Sequence, residues 1–299
     1  MSNIGLITYM DASRREDLTD VVTNISPAET PLLSMLGRGP AARQTLHEYP
    51  VDTFANAADN AQVEAADHTA INLTQPTRAT NVTQIFTDNI TVSDTAAVVD
   101  GVVNALEYQM TKNMKEHAKD IELALMAGSR ASGSSGVARR LTGVINALTT
   151  NATTMASNST LSETVYNDLM ELVYGSTDQL PDMVFVGGRL KRSISAFQGS
   201  SNGAITIPAA EITRYNKVDF YEGDFGRQRV MLHRDVTNAA SGRSLVAINS
   251  AYHKLSYLRP TTMREIAKTG DAEKRQIVTE LTIEHRGERT GVVANRFQS

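Results

Sequence analysis

Apolar residues fall along this chain in blocks of different spacing. Between Arg15 and Gly37 they recur at helical intervals in two short pieces, Leu18, Val21, Val22 and Ile25 in the first and Leu32, Leu33 and Leu36 in the second. Ser26, Pro27 and Glu29 place a capping hydroxyl, a proline at the first helical position and a carboxylate at the third, so the second piece is expected to start there and stop at Gly37. Two amphipathic pieces this short cannot close a core between them; they need another surface to lie on. From His47 to Val92 the chain turns to Thr, Asn and small residues, and its second half, from Thr77, alternates loosely through Val82, Ile85, Phe86, Ile90 and Val92. That pattern predicts a long hairpin or loop projecting from the body, with arms of about twenty residues that would reach on the order of 60 Å if fully extended. An ordinary surface insertion would look similar.

The strongest signal is a helix from Asp94 or Thr95 to Met126. Val99, Val103, Leu106, Met110, Met114, Ala118, Ile121 and Leu125 keep to one stripe, Lys112, Lys115, Glu116, Lys119, Asp120 and Glu122 take the rest, and Gly128 ends it. About thirty residues make a rod of roughly 45 Å, with a kink or close packing expected at Gly101. Ser129 to Gly136, dominated by Ser and Gly, reads as a flexible connector. Beyond it Thr160 and Glu163 spell a capping box for a helix that buries Val165, Leu169, Leu172 and Val173 and closes at Gly175. Met183 to Val186 is a short buried strand, followed by a helix carrying Leu190, Ile194 and Phe197 with Arg189, Lys191 and Arg192 exposed at its start. This order implies a layered α/β unit. Short strands are expected at Val218–Tyr221, Arg229–Leu232 and Leu245–Ile248, and a long one from Arg275 to His285. In the last, Ile277, Thr279, Leu281 and Ile283 face the core while Gln276, Glu280, Thr282 and Glu284 face away, so one buried face is expected.

Composition narrows the class. The chain has 299 residues, 41% of them apolar, and a formal net charge of -4, which fits a folded protein of one large or two smaller domains and not an expanded chain. No run approaches the roughly 18 apolar residues of a membrane span, and Met1 to Asp20 lacks the layout of a signal peptide. There is no cysteine, so disulfides, thiolate metal sites and cysteine nucleophiles are excluded. The sequons at Asn24, Asn72, Asn81, Asn89, Asn151 and Asn158 are read as unused.

Candidate catalytic motifs fail on their surroundings. His233-Arg234-Asp235 and Asp224-Phe225-Gly226 spell kinase triplets in reversed order, with Ala240 where the metal-binding Asn belongs and no glycine-rich loop before them. Gly199-Ser200-Ser201-Asn202-Gly203 matches a nucleophile elbow, but a helix precedes it where a strand is required. A serine hydrolase using Ser201 is therefore a remote alternative. The histidines at 47, 68, 117, 233, 253 and 285 show no metal-ligand spacing. Basic residues, 29 against 33 acidic, do not form the dense stripe of a nucleic-acid reader. No catalytic, cofactor or metal site is expected.

The order of blocks resembles a known family. The residues that carry the resemblance are Arg15-Glu-Asp-Leu-Thr-Asp20 and Ile25-Ser-Pro-Ala-Glu-Thr-Pro31 in the arm, and Asn81-Val-Thr-Gln-Ile-Phe86 with Val92-Ser93 before the long helix. Gly223-Asp-Phe-Gly226, Leu258-Arg-Pro260 and Ala267-Lys-Thr-Gly-Asp271 extend it toward the final strand. Over nearly its whole length the chain is similar to the major capsid (head) proteins of tailed double-stranded DNA bacteriophages, which have the Hong Kong 97-type fold. The resemblance implies an α+β chain with an N-terminal arm (1–46), an extended loop (47–92), a peripheral domain with a long spine helix (93–138), an axial domain (139–256) and a return to the peripheral domain (257–299). It also implies self-assembly into pentamers and hexamers of an icosahedral virion shell, built in the host cytoplasm around double-stranded DNA. Portal, scaffolding and decoration proteins would be its partners, the scaffold being separate because the arm begins near Met1. An encapsulin-type compartment is the alternative within the fold. A mildly acidic chain suits a DNA container, since a strongly basic lining would bind the packaged polyanion.

Two expectations go beyond resemblance. Some relatives lock their shells by an isopeptide bond from a lysine in the extended loop, but here no lysine precedes Lys112, so a non-covalent shell is expected. The loop carries Asp52, Asp59, Glu64, Asp67 and Asp88 among its acids and only Arg78 as a base. It should dock on a positive surface of a neighbour, either Arg139 with Arg140 or Arg189 with Lys191 and Arg192, each exposed pair contributing at most about 1 kcal/mol. Solvated arginines would serve no such role.

Overall fold

The computed structural model describes residues 30–54, 57–59, 61, 63–65, 75–95, 105–197, 220–237, 243–268 and 270–297. The Leu18–Ile25 stripe, the Ser26 cap, Asp67, Gly101 and the Ser201 motif lie outside them. In chain order the elements are α1 (Pro31–Met35), β1 (Gly37–Arg38), β2 (Leu46–Val51), β3 (Thr77–Val82), β4 (Gln84–Ser93), α2 (Ala105–Ala127), α3 (Val144–Ala147), β5 (Ala152–Ser159) and α4 (Glu163–Ser176). They continue with β6 (Met183–Val186), α5 (Gly188–Phe197), β7 (Phe220–Gly223), β8 (Gly226–Leu232), β9 (Arg243–Ile248), β10 (His253–Ile266), β11 (Ala272–His285) and β12 (Val292–Phe297).

The strands form a four-stranded sheet, β1-β10-β11-β4, a six-stranded sheet, β5-β12-β9-β6-β8-β7, and a separate ribbon, β2-β3. Ile121, Leu125 and Met126 of α2 pack with Leu32 and Leu36 of the arm, Phe86 of β4 and Leu281 and Ile283 of β11 in one core. A second core wraps the six-stranded sheet, where Tyr166, Leu169 and Met170 of α4 and Leu190, Ile194 and Phe197 of α5 cover Val184, Leu245 and Val292. Gly128 and Gly143 let the chain cross itself below α2. Gly143 N donates to Gly128 O at 2.8 Å, and a Cβ on Gly128 would stand 2.4 Å from Ala124 O.

Several expectations change. The alternation at Ile85–Val92 belongs to a body strand: β4 pairs with β11 from Gln84↔Leu281 to Ser93↔Ala272. The projecting ribbon is therefore confined to the register Leu46↔Val82 through Val51↔Thr77 and its tip, with Thr83 N turning back to Thr45 O at 2.8 Å. β11 is buried on both faces from Ile277 to His285, because the ribbon's base covers the side that carries Glu280 and Glu284. Residues 129–136 are part of a tight hairpin in which Ala131 pairs with Arg140 and Ser134 with Val137. Gly133 and Gly136 supply its positive φ, 77° and 83°, so its glycines make turns and not slack. Ser162, not Thr160, caps α4, its hydroxyl accepting from Val165 N at 3.3 Å. Leu172 is 42% exposed where burial was expected, and Tyr166 and Met170 are buried instead. Residues 292–297, assigned to the peripheral return, sit in the six-stranded sheet between β5 and β9.

Candidate assembly interface

The ribbon has no core of its own and is fastened by side chains. Glu280 and Glu284, four residues apart on one face of β11, lie beneath its base. Glu284 accepts from His47 Nε2 at 2.8 Å, Ser256 Oγ at 2.7 Å and Arg286 Nε at 2.6 Å. Burial pushes its carboxyl up, but hydrogen bonds from His47, Ser256 and Arg286 outweigh this, and the pKa lies below the ordinary carboxylate value. Glu280 accepts from Thr83 Oγ1 at 2.9 Å, Arg139 Nη2 at 2.8 Å and Arg259 Nε at 2.8 Å. Asn81 of β3 donates to Ile283 O at 2.8 Å and accepts from Thr142 N at 2.9 Å. The hydroxyl of buried Tyr49 accepts from His285 N at 2.9 Å. Taking one partner from a buried carboxylate is costly, so these contacts fix the direction in which the ribbon leaves the body.

A second knot joins the arm to the body. Glu122, placed on the polar face by the sequence pattern, is 1% exposed. Its oxygens accept from Leu32 N and Leu33 N, each at 2.7 Å, and from His233 Nε2 at 2.8 Å. His233 Nδ1 accepts from Asp235 N at 3.2 Å, which leaves the ring proton on Nε2, facing Glu122. The His233 triplet is thus a packing feature, and Asp224-Phe225 is the turn between β7 and β8. His117 is held between Asp88 Oδ2 at 2.5 Å and Thr279 Oγ1 at 2.8 Å. Among the described residues no group of three His, Asp or Glu side chains is placed to hold a metal.

The charged candidates are dispersed. Asp52 and Asp59 accept from the nearby backbone N–H groups of Thr53 and Ala61, at 2.9 and 3.1 Å, and Glu64 is exposed. Arg78 pairs within the ribbon with Glu48 at 3.4 Å. Asp88 is in β4, not in the loop. Arg139 is engaged by its own Glu280, while Arg140 beside it is exposed. Arg189 and Arg192 are exposed, but Lys191 is buried, its Nζ donating to Val230 O at 2.5 Å. The correction follows from the helix period: residue 191 follows Leu190 toward the sheet, and its long stem lets the ammonium reach a strand carbonyl. Sequence reasoning did not single out Phe54, which stands 104% exposed on the loop, nor Val63 at 80%.

A long helix lies across one sheet, a second sheet carries its own helices, and a ribbon is fastened to the first at its root. The chain belongs to the SU10 major capsid protein family, whose profile matches residues 5–296. Solved structures share the fold. A subunit of the cyanophage A-1(L) capsid superposes with a TM-score of 0.73 at 11% identity, covering 98% of this chain and 99% of that one. A chain from Mycobacterium phage Bobi gives 0.64 at 12% identity over 96% and 95%. The SrpI encapsulin complex from Synechococcus elongatus PCC 7942 gives 0.58 at 10% identity over 95% and 92%. No curated protein matches the sequence. The family match separates the phage-head reading from the encapsulin one, because the fold is common to both.

Proposed function

We propose that this capsid protein forms the pentamers and hexamers of an icosahedral phage head that encloses double-stranded DNA, working with portal, scaffolding and decoration proteins and assembling in the host cytoplasm. The observation that carries the reading is the family match over residues 5–296, which spans arm, ribbon and both sheets. The organisation that goes with it is an arm to residue 46, an extended loop from 47 whose return strand β4 joins the peripheral sheet, a peripheral domain around α2, and an axial domain around the six-stranded sheet. Its contacts are structural and call for no catalytic residue or cofactor. The acidic residues further along the loop, Asp59 and Glu64, meet a neighbour's exposed Arg140, or its Arg189 and Arg192, and many such modest contacts gain strength by repetition around a closed shell.

Sedimentation velocity of the purified chain tests this. Closed particles of uniform size, carrying nuclease-protected double-stranded DNA when isolated from infected cells, are expected. A small oligomer under all conditions, or particles loaded with an enzyme in place of a genome, would overturn it.

A further inference from the structure

An aromatic side chain held fully in water asks for a receptor. Phe54 is 104% exposed and lies three residues beyond the last ribbon residue, Val51. Among the described residues nothing of its own subunit shields it, although the ribbon root is fixed by Tyr49 and His47. A loop tip that needed only solubility would carry polar residues here, as most of this loop does. Aromatic residues presented this way are the usual anchors of protein–protein contacts, because one ring removes a large apolar area from water at small entropic cost.

The body offers a matching cleft. Between α1 and α2, over the start of β10, lies an open groove of about 400 Å³ lined by Leu33, Leu36, Met114, Ile121 and Tyr257. Met114, in the apolar stripe of α2, is 44% exposed there and lacks the cover that the stripe requires. The volume is at the lower end of the ~300–1,000 Å³ range of binding clefts, right for one aromatic ring and a flanking residue rather than a large ligand. The rim carries exposed Arg38, whose guanidinium lies 5.2 Å from the Tyr257 ring centre. Phe54 follows exposed Asp52 by two residues, so ring and carboxylate present an apolar knob beside a negative charge, and the groove presents apolar walls interleaved with Ser34, His117 and Thr261 beside a positive one.

We propose that Phe54 of one copy seats in the α1–α2 groove of a second copy, with Asp52 toward Arg38. The occupant is a second copy because the ring is uncovered by the described residues of its own subunit and because chains of this family assemble with themselves; the proposal rests on that shell reading. It gives the loop an apolar anchor in addition to its acidic charge, and it makes the arm helix α1 one wall of the receptor.

The chain has no cysteine, so engineered pairs report one contact each. Chains carrying Phe54→Cys and chains carrying Met114→Cys are mixed, assembled, oxidised and run on a non-reducing gel. The expected result is a mixed dimer that forms in shells and not in dissociated subunits. Well-formed shells without that dimer would overturn the contact, as would a dimer between Val21→Cys and Met114→Cys in its place, which would assign the groove to the arm's apolar stripe. Phe54→Ala supplies a second reading. Its unfolding midpoint as a free subunit should match the parent, since the ring touches nothing there, while shell yield falls about tenfold, the effect of losing one modest hot spot. Equal yield would overturn the proposal. If the unmodified chain forms no shells even with its scaffolding protein present, the shell reading itself falls and the contact with it.

Discussion

Glu122 of the spine helix and His233, which follows β8, meet at 2.8 Å in a site where Glu122 is 1% and His233 3% exposed. The same carboxylate takes the first N–H groups of the arm helix, so arm, spine and axial region share one buried acceptor. Glu122→Gln keeps the shape but turns an amide NH2 toward a donor. It should cost about 3 kcal/mol of subunit stability and speed proteolysis of the arm around residues 30–43. A variant with parental melting and parental cleavage would show that the carboxylate does not hold the arm.

His253 and His285 should make the subunit acid-sensitive in a defined window. Their Nδ1 atoms are 3.0 Å apart, and His285 Nε2 donates to Thr142 O at 3.1 Å, so His253 supplies the shared proton and its own Nε2 is left without a partner. Burial lowers both pKa values, His285 to about 4 and His253 well below 6.5. The unfolded chain binds protons below about pH 6.5 that the folded chain refuses, so stability is full above that pH and declines toward pH 4, on the order of 3 kcal/mol from His285. Glu284 acts lower: its depressed pKa stabilises the fold above about pH 4.5, and that contribution is lost as pH falls through the folded value. Melting temperature against pH for the parent and for His253→Phe should differ in slope between pH 4 and 6.5; parallel curves would contradict the assignment.

Arg139 and Arg140 are neighbours with different tasks. Arg139→Ala removes one of two guanidinium partners of Glu280 and should destabilise the free subunit by about 2 kcal/mol. Reversal of Arg140, Arg189 and Arg192 to Glu should leave the subunit's melting unchanged while lowering shell yield and flattening its dependence on salt. Unaltered yield and salt response would remove these arginines from the docking surface.

With no lysine before Lys112, the extended loop has no amine for an isopeptide bond. Boiled mature particles should give a single band at the mass of one unlinked subunit on a denaturing gel. A ladder of linked subunits would refute the non-covalent shell.

What could be read from the sequence is what local periodicity encodes. The described part of the long helix, β6, α5 and β9 stand close to their expected places because each buries a face whose spacing is visible within a dozen residues. β10 escaped notice: Pro260 interrupts its pattern, and its pairing with β11 slips on either side of Arg259. The burial of Glu122, Glu280 and Glu284 was not legible, since their partners arrive from 89 to 237 residues away, apart from Ser256, Arg259 and Arg286 nearby. β4 read as loop because its alternating apolar residues are the same whether the strand projects or lies beside β11. Phe54 carried no signal in sequence; its meaning comes from exposure alone.

The most direct measurement is an electron cryomicroscopy reconstruction of shells assembled from the purified chain. Beyond its root on β11, each copy's ribbon should lie across an adjacent subunit, with Phe54 buried between copies. A particle in which the ribbon beyond Val51 folds back onto the subunit it belongs to, with Phe54 buried within that copy, would contradict a protein completed by its neighbours.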